Sequence, residues 1–137
     1  SALLVQSWLP VLLVGLLPGM LGAWLFNYTG FTQHAGLPEN VLDHRLNCRT
    51  VYMNPVLRFL YWNMNYHVEH HMFPMVPYHR LPELHEAMKQ YCPPPYPSTF
   101  AAYAEIIPAI IRQIREPGWS VERPMPHGHA AQAVPAE

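Results

Sequence analysis

Three observations predict an all-α protein that is integral to a membrane. Charged residues make up only 12% of the 137-residue chain and apolar residues 50%, whereas ordinary soluble domains are about a quarter charged. The first 38 residues carry no charged side chain. Apolar residues then recur at helical spacing beside a cluster of histidines, of which the chain has nine. We therefore expect one transmembrane helix, followed by interfacial and cytoplasmic helices that carry the histidines.

Residues 1–30 are predicted to form the transmembrane helix. Positions 2–26 are apolar apart from Gln6 and Ser7, and at about 1.5 Å per residue they reach about 37 Å, enough to cross a hydrocarbon core of about 30 Å. A buried helix of a soluble protein is the alternative, but the rest of the chain is not apolar enough to surround it. Because the chain begins inside this apolar run, with neither an initiator Met nor a charged leader region, we expect a fragment of a larger helical membrane protein.

Residues 31–97 are predicted to leave the bilayer and to form the histidine-box region. Glycines, prolines, asparagines and charged residues become frequent there, which is typical of turns in polar surroundings. Asn54 and Pro55 provide an N-cap and a first-turn proline, and they predict a helix that runs on to His71. A short amphipathic helix is expected after it, over about residues 82–91.

Residues 98–117 are predicted to form an amphipathic helix capped by Ser98, and residues 118–137 a flexible tail without periodicity. The apolar residues of this helix recur at helical spacing: Phe100, Tyr103, Ile106, Ile107, Ile110, Ile111 and Ile114. The helix can lie in the membrane interface or pack against the histidine-bearing region, and the sequence leaves both open. His127 and His129 in the tail can bind stray metal as a pair, although a solvated tail is favoured.

The stretch 67–71, which reads His-Val-Glu-His-His, is the candidate metal site. At about 100° per residue on a helix, His67, His70 and His71 fall within an arc of about 100°, so three imidazoles can point at one place. Imidazole nitrogen suits zinc, copper, iron and nickel, and three such groups on one apolar face are costly to leave unpaired.

Three kinds of metal site compete for this stretch. A zinc metalloprotease would need a glutamate next to the first of two histidines spaced i, i+4, whereas Glu69 stands two places after His67. A structural zinc site would need four ligands, usually including cysteine, and Cys48 and Cys92 form neither a pair nor a CxxC motif. Both are disfavoured. An all-imidazole iron site at a membrane surface remains, and it accounts for a histidine-rich segment that follows a transmembrane helix.

Two stretches carry a resemblance to a known family. Residues 33–36 read Gln-His-Ala-Gly, and residues 66–79 read Tyr-His-Val-Glu-His-His-Met-Phe-Pro-Met-Val-Pro-Tyr-His. Together they resemble the C-terminal part of the membrane fatty acid desaturase superfamily, closest to a bacterial branch that includes the rhizopine-catabolism desaturase-like proteins. The resemblance covers roughly residues 8–120. In that superfamily three histidine boxes and one additional histidine hold a non-haem di-iron centre.

The resemblance implies four metal ligands, three from the third box and one additional: His67, His70, His71 and His34. Ligating imidazoles usually donate their second ring N–H to a carboxylate or carbonyl. The residues considered for such support are Asp43, His44, Asn63, Asn65 and Glu69. For Glu69, a solvated or ion-paired surface carboxylate is an equal alternative. No further HxxxH and no second HxxHH motif occurs in the sequence, so the chain supplies only part of the ligand set and is predicted to be inactive alone.

The function implied by the resemblance is that of an O₂-dependent fatty acid (acyl-lipid) desaturase. Iron would be the cofactor, O₂ the co-substrate, and a ferredoxin, of the Rieske or another type, with its reductase the electron donor. A membrane hydroxylase or ketolase on the same scaffold and a non-catalytic membrane interaction module are the alternatives. The implied location is the bacterial inner membrane, with the metal site on the cytoplasmic side. A net charge of −1 gives no electrostatic reason to expect nucleic acid as a partner.

Overall fold

The described part of the chain is helical, as the sequence predicts. The computed structural model describes residues 7–126, and no β-strand occurs among them. The chain divides into two compact units, Ser1–Phe31 and Thr32–Glu137. The end of the predicted flexible tail, with His127 and His129, lies outside the described residues.

The first unit contains most of the predicted transmembrane helix. A π-helical segment, Val11–Leu16, leads directly into α1, Leu17–His34. Together they form the one helix in residues 7–126 that is long and apolar enough to cross a membrane, with 24 residues and a mean hydropathy of 1.6 over its most apolar 18-residue window. The helix continues beyond position 26, where the predicted apolar run ends, because residues 27–34 contain neither proline nor a formal charge that would end it. His34 is therefore part of its last turn.

The second unit is built from short helices. After α1 the chain forms α2 (His44–Asn47), α3 (Pro55–Leu60), α4 (His67–Met72), a 3-10 turn (Tyr78–Arg80), α5 (Leu81–Met88), a second 3-10 turn (Lys89–Tyr91) and α6 (Thr99–Arg115). Both predicted caps are confirmed. The Asn54 side chain accepts from the Leu57 N–H at the start of α3, and Ser98 accepts from the Ala101 N–H at the start of α6.

The prediction of one helix over residues 55–71 is wrong, because a turn separates α3 from α4. In this turn Trp62 and Asn63 have φ angles of +54° and +53°, a left-handed conformation in which a right-handed helix cannot continue. The residues that follow are tied to another segment, since the Val51 N–H donates to the Asn65 carbonyl at 3.0 Å. The histidine box therefore begins a helix of its own, whose direction is set by the turn.

The last helix, α6, packs with one face against the rest of the second unit. Ala102 and Ile106 are buried and form a core cluster with Val51. This confirms the second of the two arrangements that the sequence leaves open for this helix. Another side of α6 stays exposed and carries four large apolar residues: Phe100, Ile107, Ile111 and Ile114.

Candidate metal centre

His34 is the last residue of α1, and a glycine ends the helix just after it. Gly36 has a φ angle of +79°, a left-handed conformation that glycine adopts without steric penalty. The Leu37 N–H donates to the His34 carbonyl at 3.1 Å and closes the helix end. A Cβ added at Gly36 would lie only 2.8 Å from the Cβ of Ala109 in α6. The turn that positions His34 thus depends on the absence of a side chain at residue 36.

Gly36→Ala is expected to lower the free energy of unfolding of the second unit by about 2–4 kcal/mol, from left-handed backbone strain and overpacking together. The new methyl group would meet the Cβ of Ala109, which is fixed to the α6 backbone and cannot rotate away. Denaturant titration of the full chain in detergent measures the loss. Gly118→Ala is the matched control, because open space surrounds Gly118. A wild-type midpoint for the Gly36→Ala variant would contradict the close approach.

Three histidines from two helices bring their ring nitrogens to one point. His67 and His71 are one helical turn apart on α4. The Nε2 atom of His67 lies 2.8 Å from that of His34 and 3.0 Å from that of His71. Two imidazole ligands at about 2.1 Å from one ion and at right angles to each other would be about 3.0 Å apart. The observed spacing therefore fits a metal ion shared by the three rings.

A backbone carbonyl determines which ring nitrogen of His34 is available to bind a metal ion. The Asn47 carbonyl lies 2.7 Å from Nδ1 of His34, and because a carbonyl only accepts, Nδ1 carries the proton of the neutral ring. The lone pair is then on Nε2, which faces His67. Ligating histidines commonly have such support from a carbonyl. The contact uses a main-chain atom, so no side-chain pattern in the sequence marks Asn47 for this role.

Burial keeps two of the converging imidazoles neutral. Desolvation, and then the neighbouring histidines, His34 first, lower the pKa of His67 to about 2. Desolvation also lowers the pKa of His71, followed by the effects of His34 and His44. A neutral imidazole with a free lone pair is the form that binds a metal ion, so the site holds these ligands ready for binding.

His70 stands beside the cluster rather than in it. Its ring centroid lies 5.9 Å from that of His67 and 5.7 Å from that of His71. The Nδ1 atoms of His67 and His70 are buried and, within residues 7–126, have no hydrogen-bond partner. Buried polar atoms without a partner are uncommon and call for an explanation such as an ion site. The structure thus brings three of the four predicted ligands together, and the role of His70 stays a prediction.

Cys48 completes the cluster and is not the isolated thiol that its spacing in the sequence suggests. It is fully buried, its Sγ lies 3.8 Å from His34 Nδ1, and the thiol donates to Asn47 Oδ1 at 3.0 Å. Burial, and then the nearby Glu69 carboxylate, raise the pKa of the thiol to about 12. One donor atom from each of four residues lies within 4.8 Å of the other three: His34, Cys48, His67 and His71.

Two of the residues predicted to support the ligands, Glu69 and Asn65, instead bond to scaffold residues. Glu69 does so from the side of α4 that faces away from the ligands, and Asn65 from the segment before α4. Glu69 is 1% exposed, which rules out a solvated surface carboxylate. It accepts from the Thr50 hydroxyl at 2.5 Å and pairs with His85 Nδ1 at 2.6 Å. The amide of Asn65 donates to the Val51 carbonyl at 2.9 Å. These hydrogen bonds run to the scaffold and fix the position of the ligand helix.

The other three supporting candidates occupy different places. Asp43 caps α2 and pairs with Arg45 at 2.6 Å. The Oδ1 atom of Asn63 accepts from the side chain of Arg58 in α3 at 3.3 Å. The ring of His44 lies against that of His71, with 5.1 Å between their centroids. Of these three side chains, His44 is therefore the one whose ring contacts a predicted ligand.

Comparison with known proteins bears on the identity of this site. The family model described as fatty acid desaturase matches residues 1–103, which include α1, α4 and every predicted ligand. Neither a curated protein nor a solved structure matches the chain. The placement in a particular bacterial branch stays a prediction. Since the match extends over most of the chain, and over all of the residues that converge as a metal-binding cluster, the chain belongs to the fatty acid desaturase family.

Proposed function

We propose that this chain is the C-terminal part of an O₂-dependent acyl-lipid desaturase and supplies part of a histidine-ligated, non-haem di-iron centre. The observation that carries the proposal is the convergence of three Nε2 atoms, from His34, His67 and His71, in a member of the desaturase family. Imidazole nitrogen is a suitable ligand for iron, and the buried rings favour the neutral form that iron requires.

Iron bound here would supply the activation of O₂ needed to remove hydrogen from an unactivated C–H bond, with two electrons from an external donor. The residues of the chain itself orient and shield the ligands. The Asn47 carbonyl holds the His34 ring so that Nε2 faces the site. Val68 of the ligand helix and Cys48, with exposures of 1% and 0%, belong to one buried core cluster that excludes water from the inner side of this helix.

The remaining ligands of a di-iron centre are expected from outside this chain. We assign His70 to a second metal position, because its ring stands nearly 6 Å from that of His67 and its buried Nδ1 has no partner in the described residues. The sequence contains no further histidine box of the family type. The adjoining coding sequence is the simplest check: two further histidine clusters are expected there, and their absence would contradict the proposal.

The electron donor in this proposal is a ferredoxin, of the Rieske or another type, with its reductase. The sequence contains no flavin, haem or iron–sulfur motif that would provide electrons within the chain. The bilayer that the helix Val11–His34 is long enough to cross would also supply the acyl-lipid substrate. We place the protein in a bacterial inner membrane, with the histidine-bearing helices on the cytoplasmic side.

His71→Ala in the full-length protein is expected to remove most of the bound iron and to lower O₂-dependent product formation at least about 100-fold, because one of three converging ligands is lost. Iron content by elemental analysis and product by mass spectrometry measure the two effects. His79→Ala is the matched control, since His79 is exposed in a 3-10 turn after the box. Wild-type turnover in the His71→Ala variant would contradict the ligand assignment.

The mass of the product distinguishes the two enzyme classes that share this scaffold. Loss of two hydrogens identifies a desaturase, whereas gain of one oxygen identifies a hydroxylase and replaces the proposed reaction. If the full-length protein binds iron but forms neither product with any acyl lipid, the non-catalytic membrane module is the better description.

A further inference from the structure

We propose that Cys48 is a metal ligand, so that this chain alone can hold one divalent cation with four donors of its own: His34, His67, His71 and Cys48. The inference rests on the proposed metal site and extends it, because the desaturase family pattern consists of histidines and assigns no role to a cysteine. It also changes the expectation for the isolated chain. The chain would lack a complete di-iron centre and yet contain a complete mononuclear site.

The positions of the four donors support a single ion. Around one tetrahedral ion, donors at about 2.1 Å for nitrogen and about 2.3 Å for sulfur lie roughly 3.4–3.7 Å from one another. The Nε2 atom of His67 lies 2.8 Å from that of His34 and 3.0 Å from that of His71. The sulfur of Cys48 lies 3.8 Å from Nδ1 of His34, the ring nitrogen that bonds to the Asn47 carbonyl. All four donors lie within 4.8 Å of one another, so a shift of about 1 Å closes the set around an ion.

The contacts of the Cys48 sulfur favour a role as a metal ligand over a role as a purely apolar core residue. The residue is fully buried in a cluster with Val68, Met88 and Cys92, where a cysteine can also serve simply as a small apolar side chain. Its sulfur, however, faces the imidazole of His34 and the amide oxygen of Asn47. A purely apolar role does not require a sulfur within 4.8 Å of a ring nitrogen from each of three histidines.

Binding exchanges a proton for a metal ion and transfers no electron. The S–H bond of Cys48 breaks, a metal–sulfur bond forms, and the proton leaves to solvent; a coordinating thiol is deprotonated by the ion that it binds. Three imidazoles and one thiolate form a closed four-coordinate set of the kind that holds structural zinc. In this chain alone, without the further ligands of a di-iron centre, such a set favours zinc or cobalt, which accept sulfur and nitrogen together in tetrahedral geometry.

Titration of the full chain in detergent with Co²⁺ tests the inference. The wild type is expected to bind one Co²⁺ per chain and to show a sulfur-to-cobalt charge-transfer band in the near ultraviolet. Cys48→Ser should lose this band and bind Co²⁺ at least about tenfold more weakly, since one of four ligands is gone. Cys92→Ser is the matched control, because Cys92 is also a buried free cysteine but has no place in the four-donor set, and it should keep the band.

The outcomes separate this inference from the proposed function. Co²⁺ binding that depends on His71 but shows no sulfur band, or a band that survives in Cys48→Ser, overturns the role of Cys48 and leaves the imidazole site standing. A wild-type chain that binds no Co²⁺ overturns the mononuclear site, and with it the role of Cys48, but not the proposed function, in which the remaining ligands come from outside this chain. X-ray absorption of the Zn²⁺-loaded wild type needs no variant to fold: one sulfur at about 2.3 Å beside nitrogens at about 2.0–2.1 Å supports the inference, and nitrogen or oxygen alone overturns it.

Discussion

Glu69→Ala is expected to lower the free energy of unfolding of the second unit by about 3–5 kcal/mol, the usual cost of removing one partner from a buried polar pair. The Glu69 side chain is 1% exposed, pairs with His85 at 2.6 Å and accepts from Thr50 at 2.5 Å. The substitution leaves both partners buried without their acceptor and opens a cavity beneath α4. Denaturant titration of the full chain in detergent, without metal, measures the loss.

The effect should also reach the metal site, because Glu69 and the ligands occupy opposite sides of one short helix. Residue 69 lies about 200° around α4 from His67 and about 160° from His71. Its carboxylate ties this helix to α5 through His85, whose Nε2 bonds to the Tyr52 hydroxyl at 2.9 Å. Without the Glu69–His85 contact, α4 is no longer fixed to α5 and the imidazoles on α4 lose their fixed direction. We therefore expect Co²⁺ affinity to fall at least about tenfold.

Two further variants separate the buried network from a general effect of losing a carboxylate. Glu69→Gln keeps the size of the side chain and an oxygen for Thr50, so a smaller loss of about 1–2 kcal/mol is expected. Glu83→Ala removes an exposed carboxylate that pairs with Arg80, and it should change stability by less than about 1 kcal/mol. If Glu69→Ala is no more destabilising than Glu83→Ala, the buried network does not hold α4 in place.

Local signals in the sequence correctly predicted where two helices begin. Asn54 and Ser98 cap α3 and α6 because each needs only a side-chain oxygen within three residues of a free backbone N–H. The turn between α3 and α4 contains one local signal, Asn63, because asparagine adopts a positive φ more readily than most residues, but the prediction of one long helix did not use it. Tryptophan at position 62 is a bulky residue that rarely adopts a positive φ, and its left-handed conformation accompanies the hydrogen bond that closes the helix end, in which the Asn63 N–H donates to the Arg58 carbonyl at 3.0 Å.

The candidate site depends on contacts between residues that are distant in the sequence. Helical spacing alone could align His67 with His71, but nothing local brings them to His34, 33 positions before His67; the family resemblance predicted that residue. Cys48 belongs to no spacing motif, and its place in the cluster follows from the backbone between α2 and α3. The partners of Glu69 are likewise set by the packing of α4 on neighbouring segments, which a single sequence does not record.

Acidification of the metal-free chain below about pH 6.5 is expected to destabilise the second unit. The pKa of His67 is about 2 in the folded chain, because burial disfavours the charged ring, and about 6.5 when the chain is unfolded. Between these values the unfolded chain binds a proton at this residue that the folded chain does not bind. The stabilising contribution is therefore complete above pH 6.5 and falls by about 1.4 kcal/mol for each pH unit below it, or about 2 kcal/mol by pH 5. The lowered pKa of His71 acts in the same direction.

A His67→Gln variant separates this contribution from the titration of other groups. Glutamine binds no proton in this range, so the free energy of unfolding of the variant should depend on pH less steeply than that of the wild type, by about 1.4 kcal/mol per pH unit between pH 6.5 and 5. Denaturant titrations at several pH values, with a chelator present, give both slopes. Equal slopes would mean that the His67 ring is reached by water or by a proton in the folded state, and that burial does not hold this imidazole neutral.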